Sequence, residues 1–87
     1  MDVKKIFGQR LRVARTRAGL TQKQLGEAIG VNQAAIAQYE AGSNTTPMER
    51  AVQIAFTLEV SLDFLCGLSA DPHLDLSSLP PDESPDS

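Results

Sequence analysis

Five residues spaced to share one side of a helix carry most of the chemical information in this chain: Gln33, Ala34, Ala37, Gln38 and Ala41. Two are carboxamides, three are methyls, and none is charged or bulky. A carboxamide presents a donor beside an acceptor, which matches the paired donor and acceptor on the major-groove edge of adenine. A methyl offers apolar contact to thymine, and small residues let a helix sink into a groove. Helix faces meant only for water more often carry Glu and Lys, which favour helix and solubility. The alternative is that this is simply a stable, alanine-rich helix. No nucleophile–base arrangement and no Gly-rich phosphate loop stand elsewhere in the chain, which argues against an enzyme and against a cofactor. His73, the one histidine, has no metal-ligand neighbours in sequence, so no metal site is expected.

Positioning that face requires the stretch Thr21 to Glu40 to fold as two short helices. Thr21 and Gln24 form a capping box, in which the hydroxyl accepts from the amide of Gln24 and the Gln24 side chain reaches back. Leu25, Ala28 and Ile29 then fall on one side, and Gly30 sits where this helix must stop. Asn32 is a good N-cap for the next helix, in which Ile36 and Tyr39 point inward. Two short helices joined by a tight glycine-containing turn make a helix-turn-helix.

Three further helices are expected around this unit, giving an all-α five-helix bundle. The first runs from about Val3 to Ala18, capped by Asp2, with Phe7, Leu11, Ala14 and Ala18 as its apolar stripe; it ends at Gly19. Arg10, Arg12, Arg15 and Arg17 occupy its other faces, and Arg17 reads as a solvated surface residue. Residues 41–45 form a loop. Thr46, Pro47 and Glu49 then read as N-cap, N1 and N3 of a helix with Ala51, Ile54, Ala55 and Leu58 inside. Ser61 caps a fifth helix from Leu62 to about Cys66, closed by Gly67. Leu62, Phe64, Leu65 and Cys66 make it apolar nearly all round, more than one small domain is expected to hide, so Leu62, Phe64 and Leu65 are assigned to a contact between two copies.

The chain has 87 residues, enough for one small domain. Its apolar fraction of 41% with only 5% aromatic residues points to an aliphatic helical core. No run approaches the length of a membrane span, and the N-terminus has no apolar segment of the secretory kind. Cys66 is alone, which excludes an internal disulfide and fits a reducing cytoplasm; in an apolar helix it reads as a small hydrophobe. The net charge of −3 hides a division. Residues 1–50 hold all eight Lys and Arg against four acids, and residues 51–87 hold seven acids and no base. The basic first half suits a polyanion better than the average does. From Ser69 the composition turns to Ser, Asp and Pro without periodicity, so the expected division is a domain over residues 1–68 and a disordered acidic tail over 69–87.

Taken together, LRVARTRAGLTQKQLGEAIGV, IAQYEAGSNTTP and IAFTLEVSLDFLCG resemble the DNA-binding domain of the lambdoid phage repressor and Cro proteins and of the xenobiotic-response-element regulators. The resemblance covers about Ile6 to Gly67, including Gln22, the small Gly26, the turn at Gly30, and Ile36 and Tyr39. It implies a lambda-repressor-like fold and double-stranded operator DNA as the partner. It also implies that Gln22 clamps a phosphate and that Asn32, Gln33, Ala34 and Gln38 face base edges. Thr21, Ala37 and Ser43 complete the implied DNA-contacting set, and Arg15 and Glu40 correspond to a structural ion pair. The sequence departs from the pattern in the loop at Ser43, Asn44 and Thr45, which lacks the Lys or Arg that relatives often place against the backbone. Ala34 replaces a longer base-contacting side chain, and no ligand-sensing domain follows.

The leading expectation is a sequence-specific DNA-binding transcriptional regulator, a repressor that binds a palindromic operator as a homodimer. A reading of another class is a protein-binding module, an antitoxin or anti-repressor, that engages a protein partner through the acidic tail.

Overall fold

The computed structural model describes residues 2–73, and among them the chain forms α1 (Val3–Arg17), α2 (Gln22–Ile29), α3 (Gln33–Ala41), α4 (Met48–Leu58) and α5 (Leu62–Leu65). The local signals act as their chemistry requires. Asp2 accepts from Lys5 N at 3.2 Å, and Thr21 and Gln24 exchange both bonds of the capping box, at 2.9 and 3.0 Å. Gly30 closes α2 at φ +79°, and Asn32 accepts from Ala35 N at 2.8 Å to open α3. Ser61 caps α5 through Phe64 N.

Each helix delivers one wholly buried side chain to a common core: Leu11, Leu25, Ile36, Ile54 and Leu65. Burial of such a side chain stabilises by about 1.5–3 kcal/mol before conformational entropy is subtracted. Around them lie Phe7, Ala14, Ile29, Ala51, Ala55, Leu58, Val60 and Phe64. Tyr39 packs against this cluster half-buried.

Several sequence expectations are corrected. Ala18 and Ala28 are exposed, because α1 stops at Arg17 and a helix as short as α2 presents only a narrow arc, filled by Leu25 and Ile29. α4 begins one residue late. Pro47 is its N-cap, with an extended ψ of 148° and no side-chain capping bond, and Thr46 instead lines an apolar cleft with Phe7, Ala51 and Leu62. Phe64 and Leu65, expected at a contact between copies, are 4% and 0% exposed in the chain's own core; only Leu62 of that set stays half-buried. Arg10 is half-buried, its guanidinium 4.6 Å from the centre of the Phe64 ring. The folded part also runs past residue 68: Ser61 N donates to Pro72 O at 3.1 Å, and Val60 bridges His73 in antiparallel fashion. The remainder of the expected tail, 74–87, lies outside the described residues.

Candidate nucleic-acid interface

Among the described residues, α3 is clamped on one side and exposed on the other. On its protected side, Glu40 (5% side-chain exposure) accepts from Nε of Arg15 and, at 3.1 Å, from its Nη2. Two parallel bonds between guanidinium and carboxylate fix direction as well as distance. Arg15 also donates Nη1 to Leu20 O at 2.8 Å, so one side chain joins α1, the linker before α2 and the end of α3. The hydrogen bond to Glu40 raises the Arg15 pKa further above its ordinary value against the opposing effect of burial, so the group stays a cation.

Gly8 lets α1 come this close. A Cβ there would lie 2.4 Å from the carbonyl oxygen of Glu40 and 2.6 Å from that of Tyr39. Gly26 plays the same part on α2, where a Cβ would meet Val31 O at 2.6 Å and force open the turn. Arg50 ties α4 in, donating Nη1 to Ile29 O at 2.9 Å, a carbonyl at the end of α2, and to Gln53 Oε1 at 2.8 Å. Sequence reasoning missed Gly8 and Arg50, since nothing near either residue announces a partner on another helix.

On the opposite side of α3, Gln33, Ala34, Gln38 and Ala41 are exposed, and Ala37 is half-buried beside Arg12, Gln22 and Glu40. Asn32 and Thr21 are exposed with their side chains committed to capping, and Ser43 is exposed in the loop. Gln22 is half-buried and donates Nε2 to Glu40 Oε1 at 3.2 Å; its amide has a second N–H. The structure thus brings Arg15, Gln22, Ala37 and Glu40 into one polar recess, with the two carboxamides Gln33 and Gln38 on the face beyond it.

The helix-turn-helix family model matches residues 11–65. The chain belongs to that family. Among its relatives, the helix-turn-helix transcriptional regulator YobD of Bacillus subtilis, itself uncharacterised, is 39% identical over 67 residues, covering 77% of this chain and 60% of the relative. The cryptic phage CTXphi transcriptional repressor RstR of Vibrio cholerae is 39% identical over 59 residues, covering 68% of this chain and 53% of the relative. This chain therefore spans under two thirds of the length of these two relatives. Among solved structures, the P22 c2 repressor in complex with a synthetic operator superposes with a TM-score of 0.65 at 30% identity, covering 68% of this chain and 89% of that one. The fold is that of the lambda-repressor-like proteins, as the resemblance implied. Among the described residues, no helix is long and apolar enough to cross a membrane.

Proposed function

We propose that this helix-turn-helix protein is a sequence-specific DNA-binding transcriptional regulator that inserts α3 into the major groove and represses from a palindromic operator as a two-fold dimer. The observation that carries this reading is the contrast between the two sides of α3. One side is locked by Arg15, Gln22 and Glu40, and the other is exposed, uncharged and carries Gln33 and Gln38. Locking the helix gives the base-reading side chains a fixed platform, which hydrogen-bond discrimination needs. The likeness to the P22 c2 repressor, solved with an operator, supports the same placement.

In this reading Gln33, Ala34 and Gln38 meet base edges. Gln22 offers its second amide N–H to a phosphate, Ala37 leaves room for close approach, Thr21 and Ser43 line the DNA backbone, and Asn32, expected at a base edge, has its Oδ1 committed to the cap of α3. Half-sites would stand about one helical turn, ~34 Å, apart. With Phe64 and Leu65 spent on the core, the dimer contact falls to Leu62 and to large apolar side chains left exposed nearby in sequence, Phe56 and Leu68. The test is selection of bound sites from random duplexes, followed by the same selection with Gln33→Ala. A symmetric site is expected, with discrimination at one base pair per half-site reduced by about 1–3 kcal/mol in the variant. An unchanged preference in the variant would contradict the assignment of Gln33.

A further inference from the structure

Gln38 is not a free carboxamide. Its Oε1 accepts from Nδ2 of Asn44 at 2.7 Å, across the turn that follows α3. The backbone sets up this pairing. Gly42 ends the helix at φ +73°, and Ser43 N reaches back to Gln38 O at 3.1 Å, which folds the loop against the last turn. The side chain of Gln33, at the other end of the same face, is exposed and makes no hydrogen bond to another described residue. The two glutamines are therefore not equivalent readers.

We propose that Asn44 is a positioning residue for base reading: by occupying Oε1 of Gln38 it turns the amide NH2 outward. Oxygen and nitrogen diverge from the carboxamide carbon, so fixing one fixes where the other points. Both side chains are exposed, and among the described residues this is the one hydrogen bond that the Gln38 amide makes. A Gln38 held this way reads an acceptor, such as N7 or O6 of guanine, and not the donor–acceptor pair of adenine that a free glutamine matches. In this proposal Asn44 acts through Gln38 rather than on a base of its own. The inference rests on α3 lying in the major groove.

The experiment uses the full chain and the operator recovered by selection, with single base-pair changes at the position that depends on Gln38. Wild-type protein is expected to prefer guanine over cytosine on the facing edge by roughly tenfold. Gln38→Ala and Asn44→Ala are both expected to abolish that preference while leaving selectivity at the Gln33-dependent pair intact. A loss of fold would weaken both positions alike. Asn44→Asp offers only acceptors, so it draws the Gln38 NH2 inward, turns Oε1 out, and moves the preference toward cytosine, whose N4 donates. Comparing ratios on matched duplexes cancels the extra negative charge. In the free protein, Gln38→Ala should shift the Asn44 side-chain NH2 resonances. If Asn44→Ala keeps the wild-type preference while Gln38→Ala loses it, the positioning role is overturned and groove reading stands. If the wild-type chain prefers no duplex at all, groove reading fails and takes the positioning role with it. Unshifted Asn44 resonances overturn the bond independently of DNA.

Discussion

Gly8→Ala inverts an ordinary expectation. In an exposed helix interior, replacing Gly with Ala stabilises by about 1 kcal/mol through helix propensity. At position 8 the new methyl would lie 2.4 and 2.6 Å from two carbonyl oxygens and 2.8 Å from the carbonyl carbon of Glu40, all backbone atoms at the end of α3. Backbone cannot rotate aside as a flexible side chain does, so α1 and α3 must separate. Overpacking of this kind costs about 1–3 kcal/mol, and a clash with backbone belongs at the upper end. Subtracting the propensity gain leaves a net loss of about 2 kcal/mol. For a domain of this size that lowers Tm by about 10 °C, and the urea midpoint should fall with m unchanged. Separation of α1 from α3 also stretches the Arg15–Glu40 pair, so operator affinity measured well below Tm should fall too. A variant as stable as wild type, or more so, would refute the close approach of these helices.

Other consequences are open to simpler measurements. Glu40→Ala strips Arg15 of two bonds and Gln22 of one; discounted for the partial exposure of Arg15, the loss should be about 2–3 kcal/mol in urea denaturation, and a loss below 0.5 kcal/mol would show the pair to be ornamental. Asn32→Ala removes the cap on Ala35 N and should cost about 1 kcal/mol, with Asn32→Asp close to wild type. Ser43→Lys should steepen the slope of log K against log salt by about 0.9, one added phosphate contact; an unchanged slope would place the loop away from DNA. Cutting the chain after Leu68 leaves Ser61 N without Pro72 O and removes the bridge between Val60 and His73, so thermal unfolding should report a loss of about 1 kcal/mol.

Local chemistry determines much of this protein without reference to any tertiary contact. The box between Thr21 and Gln24, the Asn32 and Ser61 caps, and the stop at Gly30 each join residues within one turn, so their types and spacing specify them alone. The inner rows Phe7–Leu11–Ala14 and Ala51–Ile54–Ala55–Leu58 follow from helical period, and they are buried. The uncharged outer face of α3 was legible for the same reason. What only the tertiary structure decided is which distant groups meet. It set Gly8 against the carbonyls of α3, Arg10 over Phe64, Arg50 on Ile29 O, and Phe64 and Leu65 inside one chain rather than between two. It also tied Asn44 to Gln38, a pair only six residues apart whose meeting depends on the left-handed turn between them. Such contacts join residues through packing angles and loop closures, and periodicity along the chain carries no record of either.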